Sequence, residues 1–432
     1  MSRLRNKLAR RREKTGDEKP ILKEPTPELV ERLRGKMERV AARHAPEIKK
    51  GSFPTGRSGE ARRDLPGEVV ESDLGPVLMD RKIYPPSYRH GRFLAAEFLE
   101  SGPGLVVLAG DDRLKDFSPP GALFLDTETT GLSGGTGTLA FLVGVGWVER
   151  DGRFVVEQYF CREPAEEGAQ LELLTKRLEH ASCLVTFNGK AFDIPLLNTR
   201  FVMQRMKNPG YNLPHLDLLT VARRVFKRRL ESCSLQSLES AVLGFERVGD
   251  IPGSEIPGAY ASFLRGGPVE PMEAVLEHNA LDLVGLAALG GALEAMYADP
   301  RAVEHAADHL GLARAALAAG EREAAEDHLL RAGKEASPKD SRDAYAMAAV
   351  AATRRQAFDE AKALWHKALE RIPDDGAAHL ALAKILEHRD KDFEAAVDHA
   401  RLTGGIEGED GSAHRIARLN RRLAKQRQED EK

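Results

Sequence analysis

The sequence predicts an α/β domain with a mixed sheet flanked by helices, followed by an all-helical repeat region. Three apolar strand-like runs follow one another between Ala122 and Phe160. Helix-like and strand-like segments then alternate, and beyond about residue 300 alanine and leucine dominate with no strand pattern. A chain of 432 residues is also too long for one ordinary core, so two folded units with tails are expected.

In chain order, residues 1–75 read as a basic, mostly flexible leader. Pro27 to about Arg43 is one helix within it, with Thr26 as its N-cap, and Gly51–Gly67 reads as linker. Residues 76–118 form a lead-in with short apolar runs such as Gly104-Leu-Val-Val-Leu-Ala. The α/β domain is placed at 119–298. Its strands are predicted at Ala122–Asp126, Thr138–Val148 and Arg153–Phe160, with a flexible glycine-rich turn from Gly131 to Gly137 between the first two. Gln170–Ala181 carries Leu171, Leu174 and Leu178 at helical spacing, and Cys183–Phe187 is a short buried strand. Helices then follow near Pro195–Met206, Leu216–Phe226, Ser234–Leu243 and Pro271–Tyr297.

Residues 299–427 form the repeat region. Glu321-Arg-Glu-Ala-Ala-Glu, Ala357-Phe-Asp-Glu-Ala-Lys and Asp392-Phe-Glu-Ala-Ala-Val align with Ala325, Ala361 and Ala396 in register, a step of about 35 residues. Small residues there let two helices approach closely. The period resembles that of tetratricopeptide repeats, which implies a surface for a protein partner; a generic alanine-rich bundle is the alternative.

Hydrophobic residues at 42% and charged residues at 30% describe a soluble globular chain. No stretch approaches the run of about 20 apolar residues that spans a membrane, and the basic opening Met1-Ser-Arg-Leu-Arg-Asn-Lys lacks the apolar run of a secretory signal. Cys161, Cys183 and Cys233 lie far apart with no Cys-x-x-Cys pair, which argues against a disulfide framework or structural zinc and for a cytoplasmic location. The net charge of −3 hides an N-terminal excess, about 16 Lys/Arg against about 8 Asp/Glu in residues 1–50. That excess is either an electrostatic arm for nucleic acid or a solvated tail.

Asp126 and Glu128 stand two apart at the end of a buried strand, so both carboxylates share one face while Thr127 points the other way. Two like charges there are costly unless a cation neutralises them, and carboxylates with water suit Mg²⁺ or Mn²⁺. A loop pair capping the next element is the plainer alternative. Further on come Asn188, at a turn, Phe192 and Asp193, near a helix start, and then His278 and Asp282, four apart on one helical face. Asp217 in His215-Leu-Asp217 is either an N-terminal helix charge or a residue at the rim of the acid cluster. Lys190, Arg200, Arg205, Lys207, Arg223, Arg224 and Lys227–Arg229 are candidates to meet phosphates, or are solvated faces; Phe192 either stacks on a base or packs in the core.

Asp126-x-Glu128, Asn188-x-x-x-Phe-Asp193 and His278-x-x-x-Asp282 resemble the three motifs of the DnaQ-like, or DEDD, 3′–5′ exonucleases. More narrowly, Asp-Thr-Glu-Thr-Thr-Gly-Leu with the following Gly134-Gly-Thr-Gly-Thr and Phe-Leu-Val-Gly-Val-Gly is similar to the YprB-type family of predicted nucleases, some with tetratricopeptide repeats. Tyr88-Arg-His90-Gly91 is similar to a segment that precedes the nuclease domain in that group. The resemblance covers about Val77 to Tyr297 and implies an RNase H-like fold and a 3′–5′ exonuclease acting on DNA or RNA. It further implies two divalent ions held by Asp126, Glu128, Asp193 and Asp282, with His278 as general base and Asn188 behind them; Asp217, read from its own position, is the reserve for Asp193. In the histidine branch the last motif places His five residues before Asp; here the separation is four, the spacing of the tyrosine branch. A catalytically idle nucleic-acid-binding scaffold and an endonuclease on the same fold are the competing expectations.

Overall fold

The computed structural model describes residues 65–131, 137–403 and 406–430. The basic cluster of residues 1–50 and the helix expected at Pro27–Arg43 lie outside the described residues. In chain order the strands are β1 (Glu68–Ser72), β2 (Gly75–Tyr84), β3 (Arg89–His90), β4 (Phe93–Leu94), β5 (Ala122–Thr129), β6 (Ala140–Val148), β7 (Phe154–Phe160), β8 (Cys183–Thr186) and β9 (His215–Asp217). The helices that bear on the site are α1 (Pro103–Ala109), α2 (Glu167–Leu178), α3 (Asp193–Met203), α4 (Leu218–Phe226), α5 (Leu235–Leu238), α6 (Ile256–Leu264) and α7 (Glu270–Ala298).

Seven strands form one mixed sheet in the order β1-β2-β7-β6-β5-β8-β9. The three predicted strands β5, β6 and β7 make an antiparallel meander, with Phe124 opposite Gly146 and Leu142 opposite Phe160. β8 then pairs with β5 in parallel, and β9 with β8. A parallel neighbour needs a crossover connection, which α2 supplies before β8 and α3 before β9. Two elements depart from the expectation. The leader ends earlier than residue 75, because β1 and β2 form a hairpin that widens the sheet beyond β7. Charged Asp80, Arg81 and Lys82 interrupt its apolar alternation, so the strand is not visible as a periodic run. β9, only three residues long, forms where the sequence suggests the start of a helix at Leu216.

The core lies on both faces of this sheet. On one side Phe124, Val156, Val185 and Val221 pack with Leu283, Leu286 and Leu289 of α7. On the other, Leu125, Val143 and Val145 pack with Leu171, Leu174 and Phe201. Against the expectation that no stretch approaches a membrane span, α7 is long and apolar enough to cross one by length and composition alone, yet 78% of that apolar window is buried inside the protein. It is the central helix of the fold.

Beyond α7 the chain is helical: α8 (Ala306–Ala319), α9 (Arg322–Glu335), α10 (Pro338–Arg354), α11 (Phe358–Arg371), α12 (Gly376–Ile385), α13 (Phe393–Arg401) and α14 (Glu409–Asp430). Ala325, Ala361 and Ala396 each fall at the same place, in the first turn of α9, α11 and α13, and each is fully buried. The region docks on the sheet domain through α8. A Cβ at Gly311 would lie 2.4 Å from the Arg224 carbonyl oxygen, so only glycine lets α8 lie this close to α4.

Candidate metal centre

β5 carries Asp126 and Glu128 to its C-terminal end, where α7 crosses the sheet. Asp126 lies opposite Gly144 on β6. A Cβ at Gly144 would lie 2.0 Å from Asn279 Oδ1, so this glycine leaves room for the Asn279 side chain. Asn279 Nδ2 donates to Asp126 Oδ2 at 2.8 Å, and Gln158 Nε2 on β7 donates to Asn279 Oδ1 at 2.8 Å, which fixes which way round the amide sits.

The four-residue spacing on α7 puts His278 and Asp282 on one face, as expected. His278 Nε2 is 3.9 Å from Glu128 Oε1 and 3.5 Å from Asp282 Oδ2. One donor atom from each of Glu128, His278 and Asp282 falls within 4.8 Å of the other two. Asp126 and Asp193 are outside that trio. Asp193 opens α3, and its Oδ1 accepts from Thr127 Oγ1 at 2.5 Å. Strand alternation turns Thr127 away from the Asp126/Glu128 face, so Asp193 meets β5 through the intervening residue. From the opposite face, Thr127 thus anchors the third acid.

Electrostatics set these carboxyls apart. Burial, and then the charges of Asp282, Asp193 and Glu128, push the Asp126 carboxyl well above the usual range, with the Asn279 bond opposing. Burial followed by Asp282, Asp193 and Asp250 does the same to Glu128. Burial raises Asp193 to about 6 against the Thr127 bond, with Asp217 adding to the rise. Asp282 is raised by burial while Arg247 and His278 pull it down. Four acids thus share a site with too little positive charge, and a hard divalent cation is the group that matches such donors.

Three further residues belong to the cluster and carry no spacing signal in the sequence. Arg247 donates from Nε and Nη2 to the two Glu239 oxygens at 2.7 and 2.8 Å, from Nη1 to Asp250 Oδ2 at 3.2 Å, and from Nη2 to Asp282 Oδ1. Asp250 Oδ1 is 2.7 Å from His278 Nδ1. Arg247 and Asp250 stand in an aperiodic loop, and Asn279 was visible only as the neighbour of His278.

Among the remaining candidates, Asp217 is a clamp. Its Oδ1 accepts from the backbone N–H of Asn188 and Leu219 at 2.9 and 3.1 Å, and its Oδ2 from that of Lys190 at 3.2 Å. It thereby caps α4 and holds the turn that leads to Asp193. Asn188 serves that turn with a left-handed backbone, φ 66°. Lys190 Nζ reaches Asp111 Oδ2 at 3.3 Å. Phe192 is 58% exposed and takes no place in the core. Several of the basic candidates are engaged elsewhere. Arg200 is buried and forks onto Glu167, with Nη2 2.7 Å from Oε2. Arg224 donates to the carbonyls of Leu108 and Ala109. Arg228 pairs with Asp340 and Asp343, and Arg229 with Asp308, across the junction with the helical region. A phosphate would have to displace these carboxylates and carbonyls, so these four arginines hold the fold together.

The sequence is similar to known proteins. The RNase_H superfamily profile matches residues 123–294, a span that runs from β5 through most of α7 and includes Asp126, Glu128, Asp193, His278 and Asp282. The chain is 30% identical over 420 residues to the Bacillus subtilis (strain 168) protein described as "Uncharacterized protein YprB", with 91% of this chain and 99% of that protein aligned.

Proposed function

Because the chain belongs to the family of YprB and carries an RNase_H superfamily domain, we propose that it is a metal-dependent nuclease that releases nucleoside monophosphates from a 3′ end of DNA or RNA. The observation that carries this reading is the convergence of Glu128, His278 and Asp282, with Asp126 beside them, on the C-terminal end of β5. Glu128 and Asp282 are the two carboxylates of the trio, and Asp126 and Asp193 would complete the set for two ions. When bound, Mg²⁺ or Mn²⁺ supplies charge neutralisation at the phosphate and a more acidic water.

The chain's own groups do the rest. Asp250 Oδ1 accepts a hydrogen bond from His278 Nδ1–H, which leaves the Nε2 lone pair as the basic nitrogen on the side of Glu128 and Asp282. Nε2 then accepts the proton of the attacking water. Asn279 holds Asp126 in a single orientation. Exposed Phe192, one residue before Asp193, offers a face for a terminal base. The helical region, with its three equivalent buried alanines, is read as degenerate tetratricopeptide-like units that present a surface to a protein partner.

A second reading has its own support: His278 Nε2 lies among the donors of the trio, so it serves as a metal ligand in place of a base. His278→Gln separates the two, because loss of a base lowers the rate at unchanged Mn²⁺ affinity and loss of a ligand lowers the affinity. The reading as a whole is tested with 3′-labelled linear DNA and RNA beside a closed single-stranded circle. Release of labelled mononucleotide from a linear strand, with the circle intact, is expected. Cutting of the circle makes the protein an endonuclease, and metal binding without hydrolysis of either makes it a scaffold.

A further inference from the structure

The Tyr88-Arg-His90-Gly91 segment lies well before the acid motifs, and nothing in the catalytic reading uses it. It forms the β3–β4 hairpin, and the hairpin sits hard against the wide helical turn Glu239–Leu243. Gly91 has φ +67°, and a Cβ there would lie 2.1 Å from the Leu243 carbonyl oxygen. Arg92 N–H donates to that same oxygen at 2.8 Å. This contact carries His90 into the interior, where it is fully buried and stacked on Phe245 with ring centroids 3.8 Å apart.

From His90 a line of charged groups runs to the metal centre. His90 Nε2 is 2.8 Å from Glu239 Oε1. Both oxygens of Glu239 are taken by Arg247, whose remaining donors reach Asp282 Oδ1 and Asp250 Oδ2. Gly285 makes the line possible: a Cβ there would lie 2.6 Å from Glu239 Oε1 and 3.3 Å from His90 Nε2. Glu239 therefore rests against α7 less than one turn beyond Asp282. A guanidinium that served only as the counterion of Glu239 would need two of its donors. Here it spends the others on Asp282 and, through Asp250, on His278.

We infer that His90, Glu239 and Arg247 form a positioning relay for the last motif. The Arg247 fork holds Oδ1 of Asp282 so that Oδ2 faces Glu128 and His278, and it steadies the Asp250 that orients the His278 ring. The lead-in hairpin is then part of the site's outer wall. The inference rests on the reading of Asp282 as a metal ligand. Outer partners of this kind typically tune metal affinity 10–100-fold.

The test is a calorimetric titration of the full chain with Mn²⁺, parent beside Arg247→Lys and Glu239→Gln. Arg247→Lys keeps the charge and loses the planar fork. Its Mn²⁺ affinity is expected to fall by roughly 10–100-fold, with hydrolysis recovering as Mn²⁺ is raised. Glu239→Gln shifts the affinity in the same direction and covers the case in which Arg247→Lys does not fold. Glu167→Gln, a change at a buried ion pair remote from the relay, lowers thermal stability without moving the affinity. Arg247→Lys and Glu239→Gln proteins that are folded and bind Mn²⁺ as tightly as the parent, or more tightly, overturn the relay and leave the nuclease reading intact. A parent that binds no Mn²⁺ overturns both.

Discussion

Asp193→Asn should stabilise the metal-free protein, and only at the pH where Asp193 is forced to ionise. Asp193 is 8% exposed and has its carboxyl raised from 3.8 to about 6, chiefly by burial. A native pKa above the unfolded one means that the native state holds the proton more tightly. The resulting stability is present in full below about pH 4 and is lost as pH rises through about 6. That change is worth roughly 3 kcal/mol between the two protonation states, an upper bound because neighbouring acids titrate with it. Asparagine is neutral at every pH, and its carbonyl oxygen still accepts from Thr127. In EDTA the variant and parent should therefore melt together near pH 4. At pH 7.5 the variant should be the more stable by up to about 3 kcal/mol, roughly 6 °C. Saturating Mn²⁺ should reverse the order if Asp193 is a ligand as proposed, because the parent then binds Mn²⁺ more tightly and gains stability by mass action. A variant less stable than the parent in EDTA at pH 7.5, or a difference that does not vary with pH, would refute the argument that uncompensated charge is stored at this site.

Three further outcomes follow from the packing. Glu167→Ala leaves the buried Arg200 guanidinium without the carboxylate that it forks onto and should cost about 3–5 kcal/mol in denaturant melts, with hydrolysis per folded molecule unchanged. Gly144→Ala drives a Cβ into Asn279; it should destabilise by about 1–3 kcal/mol and lower Mn²⁺-dependent hydrolysis, because Asn279 is displaced from Asp126. Gly311→Ala forces α8 off the α4 backbone, so limited proteolysis should release the helical region faster than from the parent.

How much of this was legible in the sequence depended on whether a feature was local. The Asp126/Glu128 face follows from strand alternation, and the shared face of His278 and Asp282 from helical spacing; both are set by a few consecutive residues. The three alanines of the helical region are legible for the same reason, since a period needs no tertiary contact. Asp193 is different. Which side of β5 the start of α3 reaches is decided by the crossover, and Asp193 lands on Thr127, close enough for its charge to act on Asp126 and Glu128 but outside the Glu128, His278 and Asp282 trio. Arg247 and Asp250 sit in a loop without periodicity, and their roles come from partners 28 to 35 residues away in sequence. Arg200, Arg228 and Arg229 looked like phosphate contacts because basic charge alone does not reveal the buried or facing carboxylate that has claimed it. The β1–β2 hairpin escaped because its charged residues break the apolar alternation while its backbone still pairs with β7.

The central claim is that the acids at the end of β5 hold divalent ions that drive phosphodiester hydrolysis. Its most direct test is release of labelled mononucleotide from a 3′-labelled single strand by the parent and by Asp126→Asn, each with Mn²⁺ titrated from zero. Release that rises with Mn²⁺ in the parent and is absent from Asp126→Asn at every concentration is the predicted result. Equal release by the two proteins, or release by the parent in EDTA, would contradict it.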